Sequence, residues 1–224
     1  AAFFFFFAPP NCFIMDGKMP ERAFVPNFLF SKLILSLDFF VMASAHSTPS
    51  QIRSAMLSWY DDYARVLPWR SMPDQQPDPY HVWLSEVMLQ QTTVQAVIPY
   101  FERFIALWPT VQDLAKATQD DVLREWAGLG YYSRARNLHK CAVTIMNDHK
   151  GEFPLDIKTL KSLPGIGDYT SAAIASIAFD MPATVIDGNV ERVVSRLYRI
   201  QTPLPDSKPQ IRAFADPLFI GKNQ

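Results

Sequence analysis

Two carboxylates in this 224-residue chain are candidates for chemistry, Glu86 and Asp187. Glu86 sits in WLSEVMLQQTTVQAVIPYFERF, residues 83–104, where an apolar and amide-rich helix surrounds it. Burying an unpaired charge costs several kcal/mol, so a carboxyl there must be hydrogen-bonded, paired or protonated near neutral pH. The apolar neighbours Trp83, Val87 and Leu89 favour the protonated form, which makes Glu86 the better acid of the two. Asp187, in VIDGNVERVV, stands at the expected start of a helix over 188–200, whose free amides favour a charged carboxylate. An acid and a fixed anion from distant parts of one chain could together donate a proton and stabilise a developing cation. Each residue also has a plain structural reading: Asp before Gly-Asn is a common N-cap, and a buried glutamate can be satisfied by amides or an arginine.

The elements that must position these groups follow from apolar spacing. Ile52, Met56, Trp59, Tyr60, Tyr63 and Val66 recur at helical intervals, and Pro68 ends that helix. A polar, proline-rich loop at 70–79 leads to the helix carrying Glu86. Further helices are expected near 94–107, 111–115, 120–127, 133–147, 157–160, 168–179 and 188–200, separated by Trp108-Pro109-Thr110, Gly128-Leu129-Gly130 and Gly151. No alternating segment is long enough to require a sheet, so the expected fold class is all-α.

The sharpest local motif is LPGIGDYTSAAIASIAF, residues 163–179. Gly165 and Gly167 permit a tight turn with exposed N–H groups just before a helix, an arrangement that receives a phosphate oxygen without a basic side chain. The same turn could be an ordinary helix–helix connection, with Ser171, Ala172, Ala173 and Ala175 allowing close packing. Upstream, GLGYYSRARNLHKCA at 128–142 offers Arg134, Arg136, His139 and Lys140 for phosphate attraction, beside two tyrosines able to stack on or wedge beside a base. Two such motifs in one chain favour nucleic acid. The near balance of Lys+Arg 21 against Asp+Glu 22 neither supports nor excludes that, because a local patch suffices.

The first 41 residues differ from the rest, with a Phe run at 3–7 and no steady helical period; they are expected to be a non-native or disordered leader, with Met42 opening the natural protein. A faint signal-peptide outline near residue 32 is broken by Asp38. No stretch approaches the roughly 18 to 20 uninterrupted apolar residues of a membrane span. Residues 42–200 form the expected helical catalytic region, and the proline-interrupted 201–224 an interdomain or truncated tail.

Long segments of this chain closely resemble the MutY-type adenine DNA glycosylases, in the helix-hairpin-helix superfamily that also contains endonuclease III. The likeness runs from about residue 51 to 200 through LPWR at 67–70, PYHVWLSEVMLQQT at 79–92, GLGYYSRARNLHK at 128–140, LPGIGDYTSAAI at 163–174 and IDGNVERV at 186–193. The resemblance implies a helix-hairpin-helix DNA glycosylase fold, incomplete at its C-terminal side. It implies hydrolysis of the N-glycosidic bond of adenine mispaired with 8-oxoguanine or guanine in double-stranded DNA, by a monomeric enzyme of the bacterial cytoplasm and nucleoid. Glu86 and Asp187 match the catalytic carboxylates and Asn189 their companion near the sugar. Gln91 matches a residue inserted at the lesion pair, Leu89 a nearby apolar contact and Tyr131 the tyrosine that distorts the duplex; Gln90, Thr92, Arg136 and Tyr169 are expected to face DNA with them. Gly165 and Gly167 match the backbone phosphate clamp, where carbonyls of Leu163 and Gly165 are candidate ligands of a monovalent cation.

Full-length relatives also carry a [4Fe–4S] cluster on a four-cysteine loop, and a Nudix-like domain that helps read 8-oxoguanine. Cys12 and Cys141 do not supply such a cluster. The endonuclease III-like branch places a lysine where this chain has Tyr169, and tyrosine has no amine to form an imine with the sugar, so the resemblance implies a monofunctional glycosylase. A glycosylase/lyase of that branch and a noncatalytic helix-hairpin-helix DNA-binding module are the alternatives.

Overall fold

The computed structural model describes residues 47–71 and 75–220; the expectations for a leader at 1–41 and a start at Met42 lie outside the described residues. Among the described residues every regular element is helical, as the spacing predicts. The helices are α1 (Pro49–Tyr63), α2 (Pro79–Leu89), α3 (Val94–Leu107), α4 (Val111–Lys116), α5 (Gln119–Glu125), α6 (Ser133–Asp148), α7 (Ile157–Ser162), α8 (Asp168–Phe179), α9 (Gly188–Leu197) and α10 (Lys208–Phe219).

Side chains that accept from free first-turn amides set most of the starts. Thr48 and Gln51 form a reciprocal capping box at α1, in which Gln51 N donates to Thr48 Oγ1 at 3.3 Å and Thr48 N to Gln51 Oε1 at 2.8 Å. Asp78 accepts from Tyr80 N at 2.8 Å ahead of α2, and Thr93, Thr110, Thr118 and Asp156 cap α3, α4, α5 and α7. The apolar period read through Val66 overshoots: α1 stops at Tyr63, and Val66 projects into solvent from an extended link. Helix α9 likewise stops short of residue 200, because Arg199 turns left-handed with φ 52° and Ile200 N donates back to Ser195 O at 2.9 Å.

Helix α2 runs through the middle of the main core. Its residues Trp83, Leu84 and Met88 are fully enclosed, with Phe101 and Phe104 of α3, Leu138 and Ile145 of α6 and Ile174 of α8 around them. Burial of each such side chain stabilises by roughly 1.5–3 kcal/mol. Helix α8 packs directly on α2, and its small buried residues Ala175 and Ala178, which join the core around α2, permit that close approach.

A second core joins the two ends of the described chain. Ile52 of α1 meets Val190 and Val194 of α9 and Ile211, Ala215 and Leu218 of α10. The segment 201–224, read as polar and proline-interrupted, therefore contains a packed helix. Pro209 falls in the first turn, where its missing N–H costs nothing, whereas Pro217, in the last turn, removes one intrahelical hydrogen bond and the helix continues to Phe219 nonetheless. The apolar positions 211, 215 and 218 repeat at helical spacing, a signal the prolines obscured.

Candidate active site

Four helix ends converge on a cleft of about 550 Å³. Helix α2 contributes Glu86 and Leu89, the link after it contributes Gln90, Gln91 and Thr92, the start of α3 contributes Val94, the start of α8 contributes Tyr169, and the start of α9 contributes Asp187, Gly188, Asn189 and Arg192.

Glu86 points from the third turn of α2 toward α8 and α9 and is only 3% exposed. Its Oε1 is buried without a hydrogen-bond partner, and the Tyr169 hydroxyl lies within hydrogen-bonding reach of the carboxyl. Burial pushes the Glu86 carboxyl up to about 8; the Tyr169 hydrogen bond works against that rise, and the Asp187 charge adds to it. Glu86 is therefore largely protonated at neutral pH, a carboxylic acid facing a cavity. The Tyr169 phenol is itself pushed well above its ordinary range, first by burial and then by the two carboxyl groups, so it stays a hydrogen-bond donor.

Asp187 is held in the opposite manner. As N-cap of α9 it accepts from Val190 N through Oδ1 at 2.8 Å, and from Asn189 Nδ2 through Oδ2 at 2.9 Å. Both oxygens act as acceptors, the arrangement of a carboxylate, and the helix start adds favourable dipoles. Asn189 is fixed in turn, because its Oδ1 accepts from Arg192 at 3.3 Å. Capping α9 thus leaves Asp187 at the cleft.

The glycine hairpin lies beside this cleft and does not line it. Ile166 N donates to Leu163 O at 3.1 Å across the turn, and Gly165 adopts φ 76°. A Cβ at Gly165 would come within 2.8 Å of Asn137 Cβ on α6, so crowding as well as conformation demands glycine here. Gly167 is the N-cap of α8 and supplies no side chain to it, which leaves the first-turn amides facing outward. A phosphate oxygen is the natural acceptor for such a group of N–H donors. Asp168, on the same turn, is ion-paired with Lys161.

Of the remaining sequence candidates, Leu89, Gln90, Gln91, Thr92 and Asn189 line the cleft with the acids. Tyr131 stands apart on the loop before α6, 63% exposed, and Arg136 is exposed on α6. Arg134 and His139 depart from their reading as phosphate-attracting groups. Arg134 is only 8% exposed and its Nη1 and Nη2 donate to protein acceptors while Nε has none, and His139 Nε2 lies 2.9 Å from Ala117 O. Arg192 and Val94 were not expected at the cleft. The signal for Arg192 is its i+3 spacing from Asn189, which puts both on one face of α9.

The family model for HhH-GPD superfamily base excision DNA repair proteins matches residues 84–216, spanning both carboxyl groups and the hairpin. The chain belongs to the HhH-GPD superfamily. Among curated HhH-GPD relatives, the adenine DNA glycosylase of Mus musculus is 48% identical over 153 residues, covering 66% of this chain and 30% of the mouse protein. The adenine DNA glycosylase of Buchnera aphidicola subsp. Acyrthosiphon pisum is 44% identical over 154 residues, covering 68% of this chain and 43% of its own length. The chain thus spans less than half of the curated relatives it matches. A solved thermostable thymine-DNA glycosylase superposes with TM-score 0.67 at 25% identity, covering 78% of this chain and 80% of that one. The match past residue 200 accords with the packed helix α10.

The [4Fe–4S] group implied by the resemblance does not fit the residues of this chain. Its 2 cysteines cannot supply four thiolates. Cys141 is moreover enclosed in α6, where burial pushes its thiol up to about 12. No helix among the described residues is long and apolar enough to cross a membrane.

Proposed function

We propose that this chain carries the catalytic centre of an adenine DNA glycosylase, which removes adenine mispaired with 8-oxoguanine or guanine from duplex DNA. The observation that carries the reading is the enclosed Glu86, its carboxyl raised by burial, facing the same cleft as the capped Asp187. The relatives of 44–48% identity that bear this activity in their names support the base. Lesion specificity rests on the resemblance alone.

The reaction needs the adenosine swung out of the duplex, which costs a few kcal/mol of stacking and pairing. Gln91, Leu89 and Tyr131 fill or wedge the stack, and the hairpin amides hold the backbone. A monovalent cation bound by the carbonyls of Leu163 and Gly165 would add positive charge beside a phosphate. Glu86 donates its proton to N7 of adenine, and the C1′–N9 electron pair leaves with the base. Asp187 faces the resulting sugar cation across the cleft, and Asn189 fixes the orientation of its carboxylate. Water then adds at C1′ and gives its proton to the Glu86 carboxylate, which restores the acid and leaves an abasic site.

Tyr169 occupies the hairpin position where a lyase requires an amine, so strand cleavage through an imine is not expected. The test uses labelled duplexes containing adenine opposite 8-oxoguanine, adenine opposite guanine, or an oxidised pyrimidine, each read with and without alkali. Alkali-dependent cleavage at adenine alone is the expected result. Excision of the pyrimidine with borohydride-trappable intermediates would assign the chain to the lyase branch. Binding without excision of any base would reduce it to a DNA-binding module.

A further inference from the structure

Arg134 makes contacts that none of the roles assigned above uses. Its guanidinium is buried without a carboxylate partner and is surrounded by oxygens from two separate loops. Nη1 donates to Val87 O at 3.1 Å, to Met88 O at 2.8 Å and to Gln90 O. Nη2 donates to Thr92 Oγ1 at 3.1 Å, to Leu129 O at 3.2 Å and to Gly130 O at 3.3 Å. The plane also lies over the rings of Trp126 at 5.2 Å and Tyr131 at 5.4 Å.

Two consequences follow from this set. The carbonyls of Val87 and Met88 belong to the last turn of α2 and lack intrahelical donors, so Arg134 caps the helix that carries Glu86. The same plane joins the loop 90–92 to the loop 129–131. Each loop holds its DNA-facing residue in a left-handed conformation that non-glycine residues rarely adopt, Gln91 at φ 58° and Tyr131 at φ 47°. Such conformations persist only where the surroundings over-determine them.

We propose that Arg134 is a positioning residue that locks the loops bearing Gln91 and Tyr131 in register with each other and with the end of the Glu86 helix. The two side chains then meet the duplex at a fixed separation, and base extrusion works as one event. The link to extrusion rests on the proposed glycosylase function; the mechanical link between the loops does not. Lysine cannot replace the fork, since one ammonium has three donors and no plane.

Two experiments test the proposal. In the free protein, Thr92→Val removes one acceptor of the fork. Amide exchange should rise at least about threefold at Thr92 N and also at Leu129 N, which donates to Trp126 O on the other loop. A rise confined to residues 90–92 overturns the coupling, whatever the chain's activity. In the second, Arg134→Lys should lower single-turnover excision at least about tenfold while duplex affinity stays within about twofold. Adding Tyr131→Ala to Arg134→Lys should cost less than the product of the two single losses. Wild-type excision by Arg134→Lys, or strictly multiplicative losses, overturns the role in extrusion. If Arg134→Lys fails to fold, the exchange result with Thr92→Val decides. Absence of adenine excision by the wild-type chain would refute the proposed function and leave the exchange result standing.

Discussion

Replacing Glu86 by glutamine should make this protein less active, and its stability relative to wild type should rise with pH. Burial raises the Glu86 carboxyl from its ordinary 4.5 to about 8, so the folded state holds a proton that the unfolded chain releases. Stability from this group is fully present below 4.5, declines as pH rises, and is lost once pH passes about 8. Each unit of difference corresponds to about 1.4 kcal/mol, so at pH 7 the cost of retaining Glu86 is roughly 3 kcal/mol. Glutamine carries no such cost. It does bury an amide whose hydrogen bonding is incomplete, since Oε1 of the native residue already lacks a partner. That penalty, about 1–3 kcal/mol, is independent of pH. The diagnostic is therefore the slope: in urea denaturation at pH 5, 6, 7 and 8, the Glu86→Gln advantage over wild type should grow by roughly 3 kcal/mol in total. Excision should fall by at least about a hundredfold at every pH, because the proton donor is gone. A stability difference flat to within about 0.5 kcal/mol across this range would show that the Glu86 carboxyl is not raised by burial, and the assignment of the acid would fail with it.

The wild-type excision rate should decline as pH rises through about 8, where the acid loses its proton; a flat profile to pH 9.5 would reject that role. Tyr169→Phe removes a hydrogen bond that holds the Glu86 carboxyl down, so the alkaline limb of that profile should move to higher pH. Asp187→Asn keeps an acceptor for Val190 N and should change stability by less than about 1 kcal/mol, as thermal melting would show, while single-turnover excision drops at least about a hundredfold. Gly165→Ala should cost about 1–3 kcal/mol through its φ of 76° and the 2.8 Å approach to Asn137, with weaker binding to undamaged duplex by fluorescence anisotropy. Gly167→Ala, in open space at φ −95°, should show little of that loss in stability.

Most of the helical frame was legible because apolar spacing and capping residues agree. Val94–Leu107 and Asp168–Phe179 begin and end where the spacing puts them, and Thr93 or the glycine hairpin marks each start. Glu86 was legible for a related reason, as a lone carboxyl within an enclosed apolar run. Helix α10 was not, because Pro209 and Pro217 read as breaks, although a first-turn and a last-turn proline leave the apolar stripe intact. Arg134 was misread more completely. A basic residue just after two tyrosines resembles a phosphate contact, and only the approach of loops 90–92 and 129–131 turns its surroundings into carbonyl oxygens. That approach depends on how α2, α5 and α6 pack, a tertiary fact with no local signature.

The two carboxyl groups differ in environment more than in kind, and the same packing produces both environments. Helix α8 lies against α2 because its facing residues are small, and that closeness encloses Glu86 and brings Tyr169 to it. The chain then leaves α8, crosses Ala183 and Val185 in a small buried cluster, and starts α9 after Asp187, where the Val190 amide and the Asn189 side chain receive the carboxylate. One acid is thus buried by a helix face and the other is solvated by a helix end. The charge on Asp187 also helps raise Glu86, so neutralising it weakens the proton retention of its partner as well as the anion facing the sugar. The two residues should therefore show coupling in a double-mutant comparison. Combined Glu86→Gln and Asp187→Asn would lose less activity than the product of the separate losses, whereas independent sites would multiply.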